Sequence, residues 1–97
     1  MNKEMISFEE FKEELEKLTK KGVEPEIPFL LNGHKYMIIG FKDSVSFQRF
    51  GDELEEQSGE IFYENIDELY NSETIDGILL KRDWYKIEKF NDSYELI

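Results

Sequence analysis

His34, six serines and 23 carboxylates are the side chains with which this 97-residue chain would have to do acid–base, nucleophilic or metal chemistry. Nucleophilic catalysis needs a hydroxyl or thiol held beside a base. Ser7, Ser44, Ser46, Ser58, Ser72 and Ser93 fall in expected caps, turns or strands, none of them in a nucleophile elbow, and there is no cysteine. His34 follows directly on an Asn-Gly turn, the setting of an exposed polar residue rather than of a base or ligand. No second histidine and no Asp-x-Asp-x-Asp-Gly loop is present, so scattered glutamates offer only weak, water-rich cation sites. Paired carboxylates can divide the roles of acid and base. With 23 acids in 97 residues, however, close pairs arise by chance. The six glycines form no phosphate-cradling pattern. We therefore expect no catalytic residue, no dedicated metal site, no cofactor and no enzymatic activity.

The distribution of the carboxylates carries more information than their chemistry. Between Phe50 and Leu80 there are ten acidic side chains and no Lys or Arg. Residues 1–49 hold nine acids against eight bases, and residues 81–97 hold four of each, so the formal charge of −11 belongs almost wholly to one stretch. A focused negative potential selects cationic partners and repels nucleic acid and anionic membrane. A solvated face that keeps the protein in solution is the plain reading of such a run. Interspersed charges would serve that purpose equally well, and packing like charges together costs stability through self-repulsion.

Aromatic rings stand among these acids: Phe62 and Tyr63 lie between Glu60 and Glu64, and Tyr70 follows Glu68. Rings that anchor and charges that steer are the parts of an interface. The expected contact carboxylates are Glu53, Glu56, Glu60, Glu64, Asp67 and Glu68, with Tyr63 and Tyr70 as anchors, whereas Phe62 is expected in the core. The partner this surface suits is a basic protein, such as one whose Lys and Arg cleft otherwise grips DNA. A DNA-mimicking inhibitor and an immunity protein for a basic toxin would need the same surface. The alternative in a different class is an assembly subunit that self-associates through a sheet edge. Either a monomer or a small homo-oligomer is compatible, with no direct nucleic acid or membrane contact expected.

The elements that must position these residues begin with a capping box, Ser7 followed by Glu10, flanked by Ile6 and Phe11 at the staple positions. Phe8, Phe11, Leu15 and Leu18 then recur at helical spacing, and Gly22 is the expected stop, giving a helix over about residues 7–20. Asn32-Gly33 demands a type I′ hairpin joining strands 27–31 and 34–41. Pro28 lacks an amide and places the first strand at a sheet edge, at least locally. Residues 45–50 form a third antiparallel strand and Ile61-Phe62-Tyr63 a short further one; a loop or short helical turn between Gly51 and Gly59 separates the two. Asn65 and Glu68 cap a brief helix near residues 66–71 whose buried side is Leu69 and Tyr70.

The last segment has two readings. Leu80, Trp84 and Ile87 fit a helix face, whereas the alternation of Tyr85 and Ile87 with charged neighbours, followed by Asn91-Asp92, fits a final hairpin over residues 84–97. The alternation favours the hairpin, with one helical turn ahead of it. The expected fold is a single α+β domain over residues 1–97: a mainly antiparallel sheet of three to five strands with an amino-terminal amphipathic helix packed on one face.

The run Phe62-Tyr63, Ile66-Asp67-Glu68-Leu69, Ile75-Asp76-Gly77, Leu80 and Trp84 resembles a pattern in small uncharacterised phage and prophage proteins of low-GC Gram-positive bacteria. Ile78 stands where that pattern has a polar residue. The resemblance implies a mobile-element origin and no specific activity. Ten Lys against two Arg and the complete lack of Ala agree with AT-rich coding. No apolar run reaches the roughly 18 residues that span a bilayer and no secretory leader is evident, so a cytoplasmic location is expected.

Overall fold

The capping box at Ser7 forms as its spacing dictates. Ser7 Oγ accepts from the Glu10 amide at 3.1 Å, and Glu10 Oε1 accepts from the Ser7 amide at 3.4 Å. In this computed structural model, which describes residues 6–49 and 59–90 and only the backbone of Lys89 and Phe90, the first helix, α1, runs Phe8–Lys20. It stops where Gly22 takes φ +88°. There the Val23 amide bonds to the Leu18 carbonyl and the Gly22 amide to that of Thr19, both at 3.0 Å. This pair of bonds satisfies carbonyls that the helix end would otherwise leave orphaned. Phe8, Phe11 and Leu15 are buried; Leu18, expected with them, is only half-buried.

Strands β1 (Glu26–Leu31), β2 (His34–Gly40), β3 (Val45–Arg49), β4 (Glu60–Tyr63) and β5 (Lys89–Phe90) form one sheet in the order β4-β3-β2-β1-β5, antiparallel throughout. Asn32 and Gly33 take φ +55° and +81°, the two positive values that a type I′ turn requires. Among the described residues β5 pairs with Phe29 and Leu30, and none pairs with Pro28 on that side, where its missing amide could make no bond.

Alternation along the strands sends Ile27, Phe29, Leu31, Tyr36, Ile38, Val45 and Phe47 to one side, all buried, where they meet α1. Gly40 is the point of closest approach. A Cβ there would lie 3.0 Å from both Leu15 Cδ1 and Thr19 Cγ2, so only glycine lets the helix seat this low.

A second layer closes the core from the carboxyl-terminal side: α2 (Ile66–Tyr70), a 3₁₀ turn (Ile75–Gly77), α3 (Leu80–Asp83) and a further 3₁₀ turn (Trp84–Lys86). The expected hairpin strand over 84–90 does not form at its start. Leu80, Trp84 and Ile87 are all buried, whereas Tyr85 is 74% exposed. A strand would have put Tyr85 and Ile87 on the same face, and burying three apolar side chains at helical spacing outweighs that alternation. Trp84 becomes the hub of the layer. Its indole Nε1 donates to the Ile6 carbonyl at 3.0 Å, and its ring stands edge-on to Phe8 and Phe11 at 5.4 and 5.2 Å. The turn at Asn91-Asp92 and the strand expected over 93–97 lie outside the described residues.

Candidate functional site

The acidic stretch is divided by the fold into three environments. Glu53 and Glu56 lie outside the described residues. Glu60 starts β4, exposed, opposite Gln48 on the sheet face turned away from α1. Glu64 and Glu68 meet at the junction of β4 and α2, where the Glu64 amide donates to Glu68 Oε1 at 2.7 Å. Asn65 Oδ1 accepts from the Glu68 amide at 2.9 Å, so the cap forms. The glutamate nevertheless reaches one residue further back than a capping box would take it. Both glutamates are exposed, and among the described residues neither they nor Glu60 form an ion pair.

Asp67 and Asp76 are instead neutralised by cations from outside the stretch. Lys12 on α1 reaches Asp67 Oδ2 at 2.8 Å, and Arg49 at the end of β3 reaches Asp76 Oδ2 at 3.2 Å. The hydrogen bond to Asp67 raises the Lys12 pKa, against desolvation and with help from the charges of Asp67, Glu16 and Glu9. The ten-acid run is therefore partly compensated in space although not in sequence.

The rings are sorted equally sharply. Phe62, expected in the core, is 58% exposed, because its pairing with Ser46 puts it on the sheet face turned away from α1, beside Phe41, with centroids 6.0 Å apart. Tyr63 is half-buried, and its phenol pKa is raised, first by burial and then by the charge of Glu68. Tyr70 is also half-buried, and it stacks on Phe8 at 3.6 Å, which commits one face of its ring to the core. The acids and ring that the fold brings together are thus Glu64, Glu68 and Tyr63. Glu60 and Tyr70 belong to other surfaces.

A second polar cluster has no local sequence signal. Asp76 adopts the left-handed conformation at φ +60°, ψ +21°, and its Oδ2 accepts from the Tyr36 hydroxyl at 2.8 Å as well as from Arg49. Arg49 Nη2 lies 3.3 Å from His34 Nδ1. Because guanidinium has no acceptor, Nδ1 must accept, which leaves the proton of neutral His34 on Nε2. Four residues spread over 43 positions of sequence are joined here, yet Tyr36 is 1% exposed and the carboxylate is occupied by its own neighbours. The cluster ties the 3₁₀ turn to the end of the sheet and offsets the cost of a non-glycine left-handed residue. No turn or role is expected of Asp76 from the sequence, and its partners lie 27 and 40 positions away.

A third cluster centres on Asp83, whose side chain is 4% exposed. It accepts from Arg82 Nε and Nη2, both at 2.8 Å, and from the Leu79 amide at 3.1 Å, with Lys86 at 3.5 Å. The Arg82 hydrogen bond is the main cause that holds its pKa down at about 2. Among the described residues no three His, Asp or Glu side chains converge as a metal site would require. A groove of about 110 Å³ runs between α1, the β2–β3 turn and the start of α2, lined by Thr19, Lys42 and Glu64 among others. It is smaller than the roughly 300–1,000 Å³ of typical small-molecule sites.

Comparison with known proteins adds no relative: the chain matches no protein-family model, no curated protein and no solved structure. No helix among the described residues is long and apolar enough to cross a membrane.

Proposed function

We propose that the chain is a non-enzymatic binding protein that docks a basic protein surface through the β4–α2 junction. The observation that carries this reading is the junction of Glu64 and Glu68, where the Glu64 amide donates to the Glu68 carboxylate at 2.7 Å, both residues are exposed, and neither has a cation among the described residues. Two exposed glutamates at one junction, without an ion pair among the described residues while Asp67 and Asp76 are paired, leave negative potential there that a cationic partner can relieve. Tyr63, half-buried beside them, supplies a phenol donor and part of a ring at the same place. A phage- or prophage-type inhibitor or regulator of a nucleic-acid-binding protein is the role this chemistry suits best. The resemblance of residues 62–84 to small phage proteins agrees with it.

The test is capture of basic proteins on the immobilised full chain at low and at high salt. The Glu64→Lys, Glu68→Gln double variant should lose the retained protein, at least tenfold in affinity, with an unchanged circular-dichroism spectrum. Retention that survives both the double variant and high salt sinks the proposal.

A further inference from the structure

The groove between α1, the β2–β3 turn and the start of α2 is small for a metabolite, but it has the make-up of a seat for one long side chain. Its buried lining residues, Leu15, Gly40, Val45 and Ile66, give it an apolar floor. Its exposed ones, Glu16, Lys42, Glu64 and Asn65, stand where it opens to water. An apolar trough of about 110 Å³ opening among charges suits an alkyl stem that ends in an ionic head, the way lysine and arginine lie along protein surfaces. We propose that it takes the side chain of one lysine or arginine of the basic partner, an assignment that rests on the docking role of the β4–α2 junction. Such a buried anchor is what exposed glutamates alone do not provide.

Charge decides between a cation and an anion as the occupant. Glu64 is the stronger counter-charge, exposed and without an ion pair among the described residues. Glu16 is the weaker, because Lys12 and Lys20 stand one helical turn to either side of it on α1. Lys12 is itself engaged by Asp67 at 2.8 Å. Lys42 opposes both glutamates, so two carboxylates and one ammonium from three separate segments leave the opening net negative. The formal charge of −11 on the whole chain repels an anionic head and draws in a cationic one. Asn65 adds a neutral acceptor, since its Oδ1 takes one hydrogen bond, from the Glu68 amide, and has a second lone pair.

The walls are fixed before anything binds. Leu15, Val45 and Ile66 belong to the core, and α1 sits so close to Gly40 that a Cβ there would lie 3.0 Å from Leu15 Cδ1 and Thr19 Cγ2. Binding therefore orders little besides the incoming side chain.

Butylguanidinium, which reproduces an arginine side chain, tests the groove directly when titrated into the ¹⁵N-labelled full chain to about 50 mM at constant ionic strength. Saturable amide shifts should appear at Gly40, Ser44, Val45 and Ile66, with half-saturation at roughly 1–20 mM. Guanidinium has the charge without the stem, and pentanoate the stem with the opposite charge; each should bind at least about tenfold more weakly. Glu64→Gln should weaken butylguanidinium about threefold and Glu16→Gln less, whereas Lys42→Ala should tighten it about twofold. Guanidinium binding as tightly as butylguanidinium, pentanoate binding more tightly, or an affinity lowered by Lys42→Ala overturns the proposal. Groove binding of butylguanidinium with no basic protein retained on the immobilised chain would uphold the site and sink the docking role. Retention that depends on Glu64 and Glu68, with no response in the groove, would do the reverse.

Discussion

Asp83 and the Glu64–Glu68 pair are all carboxylates, yet the fold treats them in opposite ways. Asp83 is buried at the start of the last helical segment and saturated by Arg82, Lys86 and a backbone amide. Glu64 and Glu68 are exposed, with a backbone amide as the described partner of the Glu68 carboxylate. An ion taken out of water must be matched or it destabilises the fold, so Asp83 is a structural acid whose charge is spent inward. A pair left in solvent costs little to keep, and its field remains available to a partner. The exposed glutamates of the acidic stretch are therefore not what holds the described fold together, while the electrically balanced carboxyl-terminal segment contains the acid on which packing depends.

The sharpest way to break this contrast is substitution at Asp83. Asp83→Ala strips the Leu79 amide and two cations of their partner. It should cost about 2–3 kcal/mol, a figure reduced from that of a fully buried pair because Arg82 is largely exposed. Urea unfolding followed by Trp84 fluorescence measures it, and a loss no larger than that of Glu64→Ala would erase the distinction.

Acid sharpens it next. Asp83 has a pKa of about 2 in the fold and about 3.9 in an unfolded chain. Its contribution, on the order of 2 kcal/mol, is complete above the unfolded value and is lost as pH falls from about 4 through about 2. The urea midpoint of the wild type should drop over that window, and that component should be missing from Asp83→Asn. A wild type and variant with parallel acid profiles would show that Asp83 does not bring its charge into the folding balance.

Legibility in the sequence follows the range of the interaction. Ser7 with Glu10 and Asn32 with Gly33 act within four residues of themselves, and each forms as expected. The α+β architecture with α1 on one sheet face was legible for the same reason, through periodicity. Trp84 was misplaced because Tyr85 and Ile87 imitate a strand locally, while the carbonyl that binds the indole belongs to Ile6, 78 positions away. Phe62 was misplaced because hydrophobicity alone does not say which face of a sheet is covered. The uncompensated appearance of the acidic stretch was half misleading, since Lys12 and Arg49 reach it only after folding. Of the residues expected to form the site, the fold brings together those linked by local geometry, Glu64 and Glu68 around Asn65.

The smallest predicted effect lies at the boundary between the two kinds of acid. Asp67 belongs to the acidic stretch by sequence and to the paired carboxylates by contact, since Lys12 holds it at 2.8 Å and so bridges α1 to α2. Both side chains are substantially exposed, 34% for Lys12 and 54% for Asp67. Solvent screening and the entropy of fixing a lysine offset most of the attraction in such a pair. Asp67→Asn should therefore leave the urea midpoint within experimental scatter in about 0.5 M salt, with a slight loss emerging only as salt is lowered. Were Asp67→Asn to cost as much as Asp83→Ala under both conditions, burial would not be what divides structural from available carboxylates. Contact with a cation alone would then decide it, and Glu64 and Glu68 would stand apart simply because none reaches them.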